Sequence, residues 1–186
     1  MNENYINSSY KLNNFQQQFK EICKKYNPKS ILEIGILDGY SLKAFSSSAK
    51  RTTKITAIDL FDKYEFKNSN FDEITKLFQK NKNVSIKHGD FYEYFKLGEK
   101  FDIIHIDISN DANVYKFSIQ NYFPLTNKLM ILEGGSKERD KVDWMVKYNK
   151  PKINNYLQSI KNCYDFDIIE KFPSITIFYK NLKIGN

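Results

Sequence analysis

The sequence predicts an α/β domain: a doubly wound, seven-stranded, mostly parallel sheet that ends on an antiparallel hairpin strand. Two observations lead there. Short apolar runs alternate with amphipathic stretches along nearly all of the 186 residues, and that alternation implies a parallel sheet covered by helices on both faces, with right-handed crossovers. The last two apolar runs then follow each other directly around Pro173, as the strands of a terminal hairpin do.

The elements follow in order. Leu12, Phe15, Phe19, Ile22 and Tyr26 are spaced 3, 4, 3 and 4 apart within residues 9–26, which is a helical stripe closed by Asn27-Pro28. This helix is expected to form a cap over residues 1–29, ahead of a main domain at 30–186, and either covers a ligand pocket or makes a homodimer contact. Ser30–Gly35 reads as a buried strand ending in glycine, and Tyr40 to Ala49 as the next helix. Lys54–Leu60, Val84–Lys87 and Phe101–Ile108 are further strands, the last being the most continuous β-branched stretch. Helices are expected at Phe71–Lys80, around Tyr92 and Phe95, and at Ala112–Asn121. Lys128–Glu133 is the fifth strand. Residues 136–161 carry helical pieces interrupted at Pro151, and Asp165–Glu170 and Ser174–Tyr179 complete the sheet.

A length of 186 residues suits one such fold, large enough to bury a core without metals or disulfides. Cys23 and Cys163 stand far apart with no metal-ligand spacing, so free thiols in a reducing compartment are expected. No apolar run approaches the ~18–20 residues that span a bilayer, and the N-terminal segment MNENYINSSYKLNN lacks the layout of a secretory signal. The expectation is a soluble, cytoplasmic protein with no membrane partner. The net charge is +7, yet Arg51 and Arg139 are the only arginines among 29 basic residues. Nucleic-acid recognition draws on arginine for bidentate contacts, so the lysines read as solvated surface and nucleic acid as a disfavoured partner.

In a doubly wound sheet, ligands bind beyond the carboxyl ends of the strands. Four expected strand ends carry an acid (Glu33, Asp59, Asp107 and Glu133), and Asp90 adds a fifth just after the third strand. Several carboxylates on one rim point to a site, because each buried one needs a partner to offset desolvation. In the first turn, residues 33–41, Gly35 permits a tight turn and Gly39 opens a helix. The helix start offers N–H groups that favour an anion, and Ser41 adds a hydroxyl. Asp38 is expected to point into solvent. The glycine spacing is not the Gly-x-Gly-x-x-Gly dinucleotide fingerprint, which argues against a nicotinamide oxidoreductase.

The segment LEIGILDGYS resembles motif I of the class I S-adenosylmethionine-dependent methyltransferases, and most of all the LE-x-G-x-x-x-GYS pattern of the catechol O-methyltransferase-like branch. The likeness continues through Asp59, Gly89-Asp90 and FDIIHID, in the same order along the chain. It implies a Rossmann-like fold with S-adenosyl-L-methionine as cofactor. Glu33, Gly35 and Gly39 would then shape the cofactor pocket, while Ser41 and the helix N-terminus hold the methionine carboxylate. Asp59 would accept both ribose hydroxyls, and Asp90 with the Phe91 backbone would meet the adenine edge. Asp107 would lie beside the reacting methyl group as a catalytic residue. The implied activity is methylation of a hydroxyl on a small molecule, such as a sugar or secondary metabolite.

The sequence also departs from that branch. The position of its lysine after the fourth-strand aspartate is Asn110, and its Asp-Asn metal pair is replaced by Glu133-Gly134. Asp107 and Glu133 remain as oxygen ligands for Mg²⁺ if one is bound, but a ligand has gone, which weighs against a required metal. His105 precedes Asp107 by two residues, so both would share a strand face. It is either a core histidine satisfied by a neighbour, or a base or base-orienting partner for Asp107. His88 is expected to line the adenine side or to be exposed. Gly134-Gly135 would allow a hinge or a close substrate approach. Trp144 and Tyr148, four apart, would share a helix face, either docking that helix on the sheet or walling an acceptor whose acidic group meets Arg139. Two rival readings stay open: an RNA methyltransferase, from the lysine excess, and a non-catalytic cofactor-binding partner protein, from the missing lysine and altered metal pair.

Overall fold

The computed structural model describes residues 8–61 and 69–180. Residues 1–7 of the expected cap and 181–186 at the end of the main domain lie outside the described residues. The chain forms two compact units, Met1–Gly98 and Glu99–Asn186, and its seven strands follow the order β3-β2-β1-β4-β5-β7-β6.

The first unit opens with a 3-10 turn at Ser9–Asn13 and helix α1 at Phe15–Tyr26. The expected single helix over 9–26 is broken, because Asn14 takes a left-handed conformation with φ 51°. Leu12 consequently leaves the stripe and is 72% exposed, and Tyr10 replaces it in the core. The Tyr10 ring packs 5.2 Å from Phe15 and 5.3 Å from Phe19. Strand β1 (Ser30–Ile34), helix α2 (Tyr40–Ser48), β2 (Lys54–Asp59), α3 (Phe71–Phe78), β3 (Val84–His88) and the short α4 (Phe91–Tyr94) follow. Phe19 joins α1 to α2 through Phe45, with ring centroids 4.9 Å apart. Asn70 caps α3 by accepting the N–H groups of Asp72 and Glu73. The three strands are parallel, with Glu33 opposite Ala57 and Asp59 opposite His88.

The second unit holds β4 (Phe101–Ile106), α5 (Ala112–Asn121), β5 (Thr126–Glu133), the short α6 (Asp143–Lys147), α7 (Ile153–Ile160), β6 (Phe166–Ile169) and β7 (Ile175–Tyr179). Every residue of β4 is buried, as its β-branched run requires of a strand covered on both faces. Strands β4 and β5 are parallel. The terminal hairpin does not simply extend the sheet: β7 inserts between β5 and β6 and runs antiparallel to both. Strand β4 stops at Ile106 rather than Ile108. Asp107 therefore leaves the strand, and the alternation that would place it on one face with His105 does not reach it. No helix among the described residues is long and apolar enough to cross a membrane.

Candidate active site

In the first unit the turn after β1 is built around two acids. Glu33 is completely buried and accepts a short hydrogen bond from the Ser41 hydroxyl. The hydroxyl expected to meet a ligand carboxylate faces Glu33 in this structure. Gly35 turns the chain at φ 86°, and its N–H donates to the Ile58 carbonyl at 3.0 Å. Gly39, at φ 75°, opens α2; a Cβ there would stand 2.9 Å from the Phe78 ring, so only glycine fits. Asp38 is half-buried and not in open solvent.

Asp59, at the end of β2, clasps this turn. Its Oδ2 accepts the N–H of Ile36 at 2.7 Å and of Leu37 at 3.4 Å, while Oδ1 accepts the N–H of Phe61 at 3.2 Å. A carboxylate offers about four acceptor sites and three are taken, so on the half-buried Asp59 about one is left for a ligand hydroxyl. Beside it, the Gly89 N–H donates to the Asp59 carbonyl at 3.0 Å, which brings Asp90 to the adjoining strand end. Asp90 caps α4 through Oδ1, which accepts the Tyr92 N–H at 2.8 Å. The Phe91 ring is buried, and His88 stacks on Phe71 with centroids 4.5 Å apart. Glu33, Gly35, Gly39, Asp59, Asp90 and Phe91 thus belong to one unit, at the carboxyl ends of three neighbouring strands.

The second unit holds a cluster that the sequence reading missed as such. Arg139 places Nε and Nη2 on the two oxygens of Glu133, the latter bond at 2.9 Å. Both residues are buried, at 5% and 3% exposure. Burial raises the Glu133 pKa, against the charge and hydrogen bonds of Arg139 and the charge of His105. For Arg139, burial alone would lower the pKa, but Glu133, followed by Asp107 and Tyr115, outweighs it and raises the guanidinium. A buried bidentate pair of this kind persists only because each charge satisfies the other.

The Arg139 backbone N–H is held by the Ser136 hydroxyl at 3.1 Å, and its Cζ lies 5.2 Å from the Trp144 ring centroid. Trp144 therefore packs on Arg139, whereas Tyr148 follows the end of α6 and is 59% exposed. Its N–H still donates to the Trp144 carbonyl at 3.1 Å, one helical turn back. Asp107 is half-buried just beyond β4, and His105 is fully buried within β4. Asn110 is also fully buried, its Nδ2 donating to the carbonyls of Ile106 at 3.1 Å and Glu133 at 2.9 Å. Gly134 and Gly135 are not a hinge. A Cβ on Gly135 would lie 2.2 Å from Thr176 Oγ1, and one on Gly134 2.8 Å from Ile153. Their carbonyls accept from Thr176 and Asn154.

These contacts decide the fit of a divalent cation. Glu133 spends both oxygens on a guanidinium, Gly134 offers no side chain, and Arg139 already supplies the positive charge at this position. The pair expected for Mg²⁺, Asp107 and Glu133, does not fit one.

A family model described as "Methyltransferase domain" matches residues 32–131. Among solved structures, a putative caffeoyl-CoA O-methyltransferase from Staphylococcus aureus superposes with a TM-score of 0.65 at 21% identity, covering 92% of this chain and 88% of that one. An O-methyltransferase from Bacillus cereus in complex with SAH gives 0.63 at 15% identity, covering 90% and 81%. An N-methyltransferase from Bradyrhizobium japonicum in complex with S-adenosyl-L-homocysteine gives 0.65 at 12%, covering 97% and 93%. At such identities the likeness is one of fold. No curated protein matches the sequence.

Proposed function

Since this chain belongs to the family defined by that methyltransferase domain, we propose that it moves a methyl group from S-adenosyl-L-methionine to a hydroxyl oxygen of a small molecule. The observation that carries this reading is Asp59: an acid at the end of β2 that holds the Gly35–Gly39 turn by its backbone and keeps an acceptor site for a ribose hydroxyl. Glu33, Gly35 and Gly39 would form the wall of the donor pocket, with Asp90 and the Phe91 backbone at its adenine side. When bound, the sulfonium supplies a methyl carbon already activated for displacement, so the chain's work is alignment and water exclusion.

A hydroxyl acceptor must lose its proton near the moment of attack. Asp107 stands half-buried just beyond the end of β4, and we assign it that proton. His105, enclosed in β4, is assigned a positioning role. The likeness to an O-methyltransferase and to a putative caffeoyl-CoA O-methyltransferase favours oxygen as the acceptor atom. Two free cysteines, one buried and one exposed, agree with a cytoplasmic site of action.

Calorimetry with S-adenosyl-L-homocysteine tests the donor site. The parent should bind, and Asp59→Ala should bind at least about tenfold more weakly. Transfer of labelled methyl to a panel of phenols and sugars tests the reaction, and Asp107→Asn should lose transfer with donor binding intact. A parent chain that binds no S-adenosyl-L-homocysteine would refute the reading.

A further inference from the structure

Glu133, the acid that the resemblance puts at a metal position, has both oxygens on a guanidinium here. Resting on the methyl-transfer reading, we propose that Arg139 is the resident cation of the acceptor site: it binds the acceptor oxygen through its Nη1 N–H groups and makes the transfer independent of a divalent metal.

Three observations lead to it. First, Arg139 is fixed as a donor. Nε and Nη2 are locked on Glu133, the backbone N–H on Ser136, and the guanidinium packs on Trp144. Second, the remaining nitrogen, Nη1, is buried and has no hydrogen-bond partner. A guanidinium nitrogen has donors only, and a buried one calls for a partner, whether water, an ion or a ligand. Third, Asn110 shows the complementary defect. Its Nδ2 is anchored on the Glu133 carbonyl, while its Oδ1 is buried without a partner. One unmet donor and one unmet acceptor are thus both borne by side chains anchored on Glu133, one on its carboxylate and one on its carbonyl. Asp107 lies near enough for its charge to act on Arg139. A polar, oxygen-bearing molecule satisfies such a set, and a hydrocarbon does not.

The chemistry balances without a metal. The acceptor O–H bond breaks as the O–CH₃ bond forms, and the proton passes to the Asp107 carboxylate. The pair of the breaking C–S bond stays on sulfur, and Arg139 keeps its proton throughout. Its charge opposes the negative charge that builds on the acceptor oxygen, as preorganised donors do at other developing oxyanions.

The test uses the full chain, S-adenosyl-L-homocysteine and 4-nitrophenol as a chromophoric acceptor probe, after treatment with a chelator. Bound probe should ionise about one unit below its free pKa, read from phenolate absorbance. Arg139→Gln should abolish that shift and weaken probe binding roughly tenfold, with S-adenosyl-L-homocysteine affinity unchanged. Arg139→Lys, which keeps the charge but not the fork, should recover part of the shift. If Arg139→Gln does not fold, the double variant Glu133→Gln/Arg139→Gln, which leaves neither charge buried alone, takes its place. An equal shift in parent and variant, no probe binding by the parent, or a shift that appears only with added Mg²⁺ would overturn the proposal. A parent that fails to bind S-adenosyl-L-homocysteine would instead remove the methyl-transfer reading beneath it, so the two failures are told apart.

Discussion

Asp59 accepts the backbone N–H of Ile36, 23 residues before it, at 2.7 Å. The carboxylate assigned to the donor's ribose is therefore also the clasp that holds the glycine turn against β2. The two roles separate by substitution. Asp59→Ala removes the acceptors of Ile36, Leu37 and Phe61 together and should cost about 1–3 kcal/mol of stability. Asp59→Asn keeps one carbonyl oxygen for the turn but places an amide donor where the second acceptor was. It should melt closer to the parent while losing S-adenosyl-L-homocysteine affinity as fully as the alanine variant. Thermal unfolding and calorimetry on the two variants check this, and equal affinity of Asp59→Asn and parent would take the ribose hydroxyl away from Asp59.

Gly135 meets two constraints at once. Its φ is 116°, and a Cβ would stand 2.2 Å from Thr176 Oγ1 and 3.2 Å from Leu157 Cδ1. The hydroxyl cannot simply swing aside, because it donates to the Gly134 carbonyl at 3.0 Å and accepts from Tyr115 at 3.1 Å. Gly135→Ala should lose more than about 2 kcal/mol. Adding Thr176→Ala should recover only part, since the backbone strain of about 1–3 kcal/mol remains. Urea unfolding of the single and double variants measures both amounts.

Burial pushes the Cys23 thiol up to about 12, whereas Cys163 is exposed. At pH 8 the thiolate fraction of Cys23 is on the order of one in ten thousand, and the thiolate is the reactive form. An aromatic disulfide reagent should titrate one thiol per native chain at that pH and two in denaturant. Because the shift is upward, raising the pH towards 12 is what would expose the second thiol, if the fold survives. Two fast thiols in the native protein at pH 8 would contradict the buried position of Cys23 on α1.

The strands, the crossover helices and the acids at the strand ends were legible because they follow from period and order along the chain. Asp59 and Asp90 could be placed at neighbouring strand ends from position alone. What escaped depended on where the chain reverses. Counting intervals put Leu12 in the stripe, since nothing in the spacing announces that Asn14 leaves the right-handed region; Tyr10 gains the place by that one turn. Ser41 and Glu33 sit eight apart on a strand and a helix, and only the bend at Gly35 makes the hydroxyl face the acid. Arg139 and Glu133 are six apart across two glycines with positive φ. No helical or strand period links such positions, so Arg139 looked like a contact for a substrate acid when its partner was in its own chain. Trp144 and Tyr148 part in surroundings and not in period: Trp144 lies over Arg139, while Tyr148, the residue after α6, is exposed.

The pair Glu133–Arg139 also makes a prediction about stability that is separate from its proposed part in transfer. Taking one buried charge away leaves the other without a partner, and such losses run to about 3–5 kcal/mol. Glu133→Gln and Arg139→Met should each be strongly destabilised for that reason. The double variant, with neither charge, should be more stable than either single one, because burial penalises both charged forms and packed neutral side chains of similar volume replace them. Urea denaturation of the four chains closes a double-mutant cycle, in which a coupling energy of roughly 2 kcal/mol or more is expected. Additive losses would mean that the two groups do not act as a pair in solution, and Glu133 would then be available to a metal after all.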